Sequence, residues 1–405
     1  MEIIFYLFLI LIIVSIPLTL HYLKKPNHNA SIKDLYAEGL DMLVMGKRKK
    51  AYKNFKLIIE KDSNNIKAYL YLGQVVRDGG NPKKALEIHQ PLLHRQDINN
   101  YDKVELYKNL SLDYYRMDNL EQSINFAKKV LTIEKFNEWS VNHLIKLYKS
   151  INDWSNATEF LKMLFEINNN INHTKLALYK VQEGRVLLKN NDFNLSREAF
   201  EEALNLNSDL NICYYFIGNA FADESNYIYD SAIALDKEAD NSLEKNEQSQ
   251  KIKVDAENIL AKAITMWGHF IENMPEYSWM ILPTLKDALQ ALHRYDDIEK
   301  LLIQTENKNN NNIDIVSHLA DFYANKGDID RALKTINKGL EKNKDSLIAQ
   351  LKKIKIISLK NKESSLSVQI DKLIISLMRD ERYLKYKHSY NDDNMRWLFE
   401  TNNIT

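Results

Sequence analysis

Residues 69–93 read YLYLGQVVRDGGNPKKALEIHQPLL, and three of them have a spacing that is typical of a helical hairpin. Ala85 comes twelve positions after Gly73, and the bulkier His89 follows four positions after Ala85. The same spacing occurs earlier in the chain, where Gly39, Ala51 and Phe55 fill these positions. The two glycines define a period of about 34 residues, that of the tetratricopeptide repeat (TPR), a pair of antiparallel helices. The small residues would let the two helices of a pair approach closely, and the bulky residue would fill the remaining space.

The period continues along the chain and predicts an all-α fold, a TPR α-solenoid. In later repeats the residues at the characteristic positions of this period are Ser111, Tyr114 and Ser123; Ile145, Tyr148 and Ala157; Gly184, Ser196, Phe200 and Ala203; and Ala320, Tyr323 and Ala332. In the repeat that begins at Gly218, Ala263 comes forty-five positions later instead of twelve, which leaves an insertion of thirty-three positions. We therefore predict TPR repeats over 31–226, a polar insertion over 227–258, and further TPR-like helical pairs over 259–378.

The insertion carries mixed charge with little apolar spacing. Because such a segment buries little apolar surface, the pattern favours a solvated helix extension or a loose hairpin. A partner-specific arm is the alternative interpretation.

The composition excludes several classes of protein. Only 10 glycines and 6 prolines occur in 405 residues, too few for the turns of a β-rich or Rossmann fold. The 55 basic residues balance the 55 acidic ones, which disfavours a general nucleic-acid binder. One cysteine cannot form an internal disulfide or supply a thiolate metal cluster. We expect no cofactor and no nucleic-acid partner.

The N-terminal residues 3–20 are uncharged and almost entirely apolar, close to the length that crosses a bilayer. A signal peptide is the competing interpretation, but the basic start and small-residue cleavage site are missing. Lys24 and Lys25 follow the apolar run, so the positive-inside rule places the remaining chain in the cytoplasm. We predict one transmembrane helix within an anchor at 1–25, a location in the inner membrane, and most of the chain in the cytoplasm.

Catalytic motifs are missing from the sequence. No P-loop, dinucleotide-binding, nucleophile-elbow or zincin pattern occurs, and the ten histidines lack ligand spacing. Cys213 lies on the apolar side of a predicted helix and reads as a core residue. The sequence therefore predicts a protein that is not an enzyme.

TPR arrays bind partners along the concave face, which the first helix of each repeat forms. Its positions in repeats two to five are Arg77, Lys108, Tyr115, Arg116, Trp139, Asn142, Lys146, Lys149 and Arg185. This set is basic and aromatic although the whole chain is neutral. It suits an acidic peptide or a carboxylate terminus, held by charge-assisted hydrogen bonds and by stacking. An ordinary solvated helix face is the alternative.

The stretch 69–93 resembles the lipopolysaccharide assembly protein B (LapB) family. The residues that carry the resemblance are Leu72-Gly73, Arg77, Gly79-Gly80, Ala85-Leu86 and Ile88-His89-Gln90. A membrane helix followed directly by a TPR array fits the same family. The resemblance implies a membrane adaptor that faces the cytoplasm and tunes lipopolysaccharide synthesis. It would do so by helping the FtsH protease degrade the deacetylase that commits carbon to lipid A.

Members of that family end in a pair of rubredoxin-like zinc knuckles. Arg382, Tyr383, Tyr390 and Trp397 match the non-cysteine positions of this pattern, but the four cysteine positions hold Lys385, His388, Phe399 and Asn402. These side chains cannot form a tetrahedral zinc site, which uses four cysteine or histidine ligands. We predict a degenerate, metal-free knuckle over 379–405, with a plain frayed C-terminus as the alternative.

The leading hypothesis is thus a non-enzymatic adaptor that binds proteins or peptides, with an FtsH-type protease and a lipid A synthesis enzyme among its possible partners. The alternative is a TPR scaffold for an envelope or secretion complex, without a role in proteolysis. The partners recovered with the protein would separate the two hypotheses.

Overall fold

The computed structural model describes residues 30–238, 243–308, 312–362, 364–379 and 392–398. The chain divides into two compact units, unit 1 up to Leu147 and unit 2 from Tyr148 onward. Within the described ranges every regular element is an α-helix or a short 3-10 helix. The prediction of an all-α fold is confirmed. The predicted anchor at 3–20 lies outside these ranges, and none of the helices inside them is long and apolar enough to cross a membrane.

Unit 1 is a series of antiparallel helix pairs. Its helices are α1 (Ile32–Val44), α2 (Arg48–Lys61), α3 (Ile66–Asp78), α4 (Pro82–His89), α5 (Asn100–Arg116), α6 (Leu120–Ile133) and most of α7 (Glu138–Ser150). Helix starts are fixed by side chains that accept a hydrogen bond from a backbone N–H of the first turn, as Asn65 does from Ala68 and Asn99 from Asp102. Most pairs therefore begin where the sequence offers Asn, Ser or Asp.

Unit 2 continues with helix pairs of the same kind. Its helices are α8 (Trp154–Asn168), α9 (His173–Lys189), α10 (Phe193–Leu206), α11 (Ile212–Glu238), α12 (Leu243–Asn273), α13 (Leu282–Ala291), α14 (Asp297–Lys308), α15 (Ile313–Asn325), α16 (Ile329–Lys342), α17 (Leu347–Lys360) and α18 (Ser364–Arg379). Short 3-10 helices cover Pro275–Met280 and Asp393–Leu398. A continuous apolar core runs from α9 to α17 and includes Trp397 of the C-terminal segment, and a separate small cluster joins α17 to α18.

The small residues of the repeat pattern lie where two helices of a pair touch. A Cβ added to Gly39 would lie 3.0 Å from the Phe55 ring, and one added to Gly184 would lie 2.6 Å from the Phe200 ring. A Cβ on Gly73 would overlap the His89 ring. The residue that the first small position accommodates is therefore the bulky residue sixteen positions later.

The third repeat replaces this contact with a hydrogen-bonded serine pair. The Ser111 hydroxyl donates to the Ser123 carbonyl at 2.8 Å, and the Ser123 hydroxyl donates to the Ser111 carbonyl at 2.8 Å. Both serines are fully buried. Because each hydroxyl satisfies a partner, this pair lets the helices approach without leaving a buried polar group unbonded.

The predicted insertion at 227–258 supplies the far ends of two long helices, α11 and α12. The Ser225 hydroxyl donates to the Ala256 carbonyl at 2.7 Å, and the Ser249 hydroxyl donates to the Ala232 carbonyl at 3.1 Å. The helices thus pack through small buried side chains beyond the ordinary length of a repeat. At their base, a Cβ on Gly218 would overlap the ring of Trp267, which fills the space that Phe55 or Phe200 fills in other repeats.

Candidate partner-binding surface

A cluster of aromatic and basic side chains lies on α5 and α7 of unit 1. Trp139, His143 and Lys146 are spaced by four and three residues on α7, which places them on one side of that helix. Lys108 and Tyr115 are seven residues apart on α5, again on one side. We call these five residues the α5–α7 surface.

The rings of this surface pack against one another. Trp139 stacks on His143 with centroids 5.0 Å apart, and Tyr115 meets the His143 ring edge-on at 5.6 Å. The Lys146 Nζ lies 4.8 Å from the Tyr115 ring centroid, and the Lys108 Nζ lies 5.7 Å from that of Trp139. Both ammonium groups are therefore at cation–π distance from a ring. Tyr115 and Trp139 remain half-buried, so part of each ring faces solvent.

His143 is buried beneath the two larger rings. Burial, with a smaller contribution from the charge of Lys146, lowers the pKa of His143 to about 4. The imidazole is therefore neutral at pH 7, and its Nε2 lies 3.4 Å from the Ser123 hydroxyl. The positive charge of the surface at neutral pH comes from its lysines and not from this ring.

The two lysines differ in their partners. The Lys108 Nζ donates to the Glu105 carboxylate at 2.9 Å, which offsets its charge. Lys146 is exposed, and no carboxylate of the described residues lies within 4.0 Å of its Nζ. Arg116, at the end of α5, is also exposed. An incoming carboxylate would find a solvent-facing ammonium beside two aromatic faces, an arrangement that suits acidic peptide segments.

Arg77 belongs to an internal cluster of unit 1. It is 7% exposed, and its Nη1 donates to the Asp113 carboxylate at 3.0 Å and to the Asn109 side-chain oxygen at 3.0 Å. The other Asp113 oxygen lies 2.5 Å from His89 Nδ1. These contacts engage the guanidinium within the fold. Asn142 is exposed on α7, where its amide donates to the Glu138 carbonyl at 3.1 Å.

The remaining residues of the sequence-predicted set lie in unit 2. The Lys149 Nζ lies 5.5 Å from the Trp154 ring centroid and 5.4 Å from that of Tyr179. Arg185 places its guanidinium 4.6 Å from the Trp397 ring centroid. The structure therefore places Lys108, Tyr115, Trp139 and Lys146 together, and Arg185 beneath a C-terminal side chain.

The C-terminal segment 392–398 packs on α9 and α11. The Gln182 amide donates to the Trp397 carbonyl at 2.7 Å, and the Ile212 N–H donates to the Asn394 side-chain oxygen at 3.1 Å. The Tyr277 hydroxyl also donates to the Asp392 carboxylate. Knuckle positions Lys385, His388, Phe399 and Asn402 lie outside the described residues. Within the ranges that are described, no group of His, Cys, Asp or Glu side chains could hold a metal ion.

His143 is the member of the α5–α7 surface that the sequence reasoning missed, because the histidines were judged only for metal-ligand spacing. Its signal was its position four residues after Trp139 and three before Lys146. That spacing on a helix places the three side chains side by side.

Comparison with known proteins supports the repeat architecture. The tetratricopeptide repeat family matches residues 179–210 and 286–353. Repeats of this kind are typical of non-enzymatic proteins that bind other proteins. A tetratricopeptide repeat protein from Parabacteroides merdae aligns with 68% of this chain and 98% of its own, at 14% identity and a TM-score of 0.33.

Two curated relatives share a name. Lipopolysaccharide assembly protein B of Escherichia coli strain K12 is 20% identical over 154 residues, or 38% of this chain and 39% of the relative. The protein of that name from Haemophilus influenzae is 21% identical over 277 residues, or 66% of this chain and 61% of the relative. The chain thus spans less than two thirds of either relative. It contains TPR repeats and has distant similarity to LapB.

Proposed function

We propose that this protein is a non-enzymatic, membrane-anchored adaptor of the LapB type, and that it binds acidic segments of partner proteins on the α5–α7 surface. One observation carries the proposal: Lys146 presents an exposed ammonium without a carboxylate partner in the described chain, 4.8 Å from the Tyr115 ring. Trp139 extends the same surface by stacking on His143. Aromatic side chains are enriched at interfaces, and an exposed ammonium beside them can pair with a carboxylate of a partner.

The cellular role that we propose follows the similarity to LapB. The apolar residues 3–20 anchor the chain in the inner membrane, and Lys24 and Lys25 keep its body in the cytoplasm. In that position the adaptor regulates lipopolysaccharide and envelope biogenesis. Its proposed partners are an FtsH-type protease and the lipid A synthesis enzyme that the protease degrades.

A charge reversal on the α5–α7 surface tests the binding site. Lys146→Glu should reduce recovery of partner proteins from solubilised membranes about tenfold, because it replaces an attraction for carboxylates with a repulsion. Trp139→Ala should weaken recovery by loss of stacking. Lys83→Glu is the matched control, since it makes the same charge change at an exposed position of α4.

The loss of binding is informative only if Lys146→Glu remains folded. Lys146 is exposed and contributes little to the stacked core of a repeat array, so the melting temperature of Lys146→Glu should equal that of Lys83→Glu. Wild-type recovery of partners by Lys146→Glu would exclude the α5–α7 surface as the binding site. Recovery of secretion components alone, without a protease or a lipid A enzyme, would overturn the adaptor role in favour of a scaffold.

A further inference from the structure

A cavity of about 240 Å³ lies within unit 2, between α13, α14, α15, α17 and α18. Its apolar lining includes Leu282, Ile298, Leu302, Phe322 and Ile374. Its charged lining includes two lysines of α17. A cavity with a large apolar wall and a few polar groups on one side is the usual form of a small binding site.

The two lysines have different partners. The Lys355 Nζ donates to the Asp321 carboxylate at 2.7 Å and pairs with the Asp371 carboxylate at 2.8 Å. Lys352, which is 4% exposed, instead has its Nζ 2.7 Å from His318 Nδ1. Of the carboxylates in the described ranges, none lies within 4.0 Å of the Lys352 Nζ. An ammonium group has three donors, and histidine accepts only one of them.

The three lysines that line the cavity are balanced by three aspartates, and Lys352 is the lining lysine of α17 whose ammonium makes no direct carboxylate contact within the part of the chain that is described. Burial lowers the pKa of Lys352 to about 8, against the opposing attraction of Asp321, so the ammonium is still mostly protonated at pH 7. His318 occupies one N–H of this buried ammonium, and an incoming carboxylate would accept a hydrogen bond from the N–H groups that remain. Lys286 of α13 also lines the cavity and could contact the same anion.

We propose that this cavity binds the free C-terminal carboxylate of a partner peptide whose last residue is apolar. The carboxylate pairs with Lys352, and the last side chain packs against the wall of Leu282, Leu302 and Phe322. The site lies in unit 2, and its test does not depend on the α5–α7 surface of unit 1.

The charges around the cavity favour a singly charged ligand. With three lysines and three aspartates, the lining has no excess of positive charge that would hold a dianion. Asp287 and Asp371 stand at the solvent side of the cavity, where Asp371 has 45% of its side chain exposed. Their charges repel a second negative charge on the ligand, so a phosphate dianion should bind less well than a carboxylate.

Three small probes test the proposal on the full chain in detergent: N-acetyl-Ala-Ala-Leu with a free carboxylate, the same tripeptide as its carboxamide, and N-acetylleucine. Isothermal titration calorimetry at pH 7 should show the acid tripeptide binding at least about tenfold more tightly than its amide. N-acetylleucine should bind more weakly than the acid tripeptide, because it lacks the preceding peptide groups. Equal affinity of N-acetylleucine and the acid tripeptide would assign the cavity to small free carboxylates and overturn the peptide proposal.

Two variants of α17 locate the site. Lys352→Met keeps the buried stem and removes the charge, and it should reduce the affinity for the acid tripeptide about tenfold. Lys353→Met is the matched control on the neighbouring residue, which does not line the cavity, and it should bind as wild type does. Unchanged affinity in Lys352→Met, or equal binding of acid and amide by the wild type, would overturn the proposal. So would inorganic phosphate competing as well as the acid tripeptide.

A pH titration of the wild type needs no variant. Affinity for the acid tripeptide should fall as the pH rises through about 8, because Lys352 loses its proton there. The other titratable groups around this ammonium are His318, Asp314 and Asp321 on α15, Lys355 on α17, Asp371 on α18, and Lys286 and Asp287 on α13. Asp321 has a lowered pKa and Lys355 a raised pKa, so neither explains a loss near pH 8. Affinity that stays constant from pH 7 to 9.5 would overturn the assignment to Lys352.

Discussion

Gly73→Ala should destabilise unit 1 although alanine is the better helix former. A Cβ at this position would overlap the His89 ring, which is fully buried. The ring has no free direction in which to move. Its Nδ1 lies 2.5 Å from the Asp113 carboxylate, and its Nε2 lies 3.1 Å from the Leu70 carbonyl.

The magnitude follows from three contributions to the free energy of unfolding. Alanine in place of glycine gains about 1 kcal/mol of helix propensity. Overpacking against a fixed ring costs about 1–3 kcal/mol. Displacing the ring weakens a hydrogen bond to a charged group, at about 1.5–3 kcal/mol. The net loss should be about 3 kcal/mol, or roughly 10 °C in the melting temperature of a unit of this size.

Hydrogen exchange of α3, α4 and α5, measured by mass spectrometry on the full chain, reports this loss locally. Gly268→Ala is the matched control on α12, because a Cβ there meets nothing within 4 Å. That substitution should stabilise its helix by up to about 1 kcal/mol. Gly39→Ala, whose Cβ would lie 3.0 Å from the Phe55 ring, should fall between the two.

A double-mutant cycle gives the decisive comparison. In a His89→Ala background the overlap is gone, so adding Gly73→Ala should become stabilising by up to about 1 kcal/mol. The sign of the Gly73→Ala effect should therefore change with the residue at position 89. If Gly73→Ala destabilised both backgrounds equally, the close approach to His89 would not be the cause and the packing argument would fail.

Three further predictions concern pH, the buried lysine and topology. Burial lowers the pKa of His143 from an ordinary value of 6.5 to about 4 in the folded protein. The free energy of unfolding should therefore fall by up to about 3 kcal/mol as the pH falls from 6.5 to 4, because the unfolded chain takes up this proton first. His143→Phe should lack this loss in urea titrations. In urea titrations at pH 7, the free energy of unfolding of Lys352→Met should exceed that of the wild type by roughly 1 kcal/mol or more. This difference should shrink between pH 8 and 10.5, because Lys352 of the folded wild type loses its proton there. A reporter fused after Thr405 should be active only in the cytoplasm, and periplasmic activity would contradict the proposed topology.

The helix pairs and their register could be predicted from the sequence because they depend on residue size at fixed spacing. Phe55 comes sixteen positions after Gly39 and meets it in the structure, and Phe200 meets Gly184 at the same spacing. The same contact gives the length of the insertion, because the ring that meets Gly218 belongs to Trp267, forty-nine positions later. This separation exceeds the usual sixteen positions by thirty-three, which is the length of the insertion. Such contacts depend on local geometry that every repeat shares.

The partners of charged side chains could not be predicted in the same way. Arg77 stands at a position that faces a partner in a generic repeat, yet its guanidinium reaches Asp113 on the first helix of the next repeat. Arg185 stands at a similar position and lies against Trp397, near the other end of the chain. A long flexible side chain can reach several hydrogen-bond acceptors. The repeat spacing determines only the backbone position from which that side chain extends.

Two polar contacts in the cavity of unit 2 nevertheless follow the repeat period. Asp321 and Lys355 stand one full period apart, at equal positions of successive repeats, and they form an ion pair. His318 and Lys352 are separated by the same period, and their polar atoms meet as well. The first pair joins opposite charges, whereas the second joins two basic side chains and leaves the ammonium without a direct carboxylate contact from the described residues. Because a repeat array stacks equal positions next to each other, two basic residues one period apart come into contact, and the carboxylate that we propose for the cavity would bind beside them.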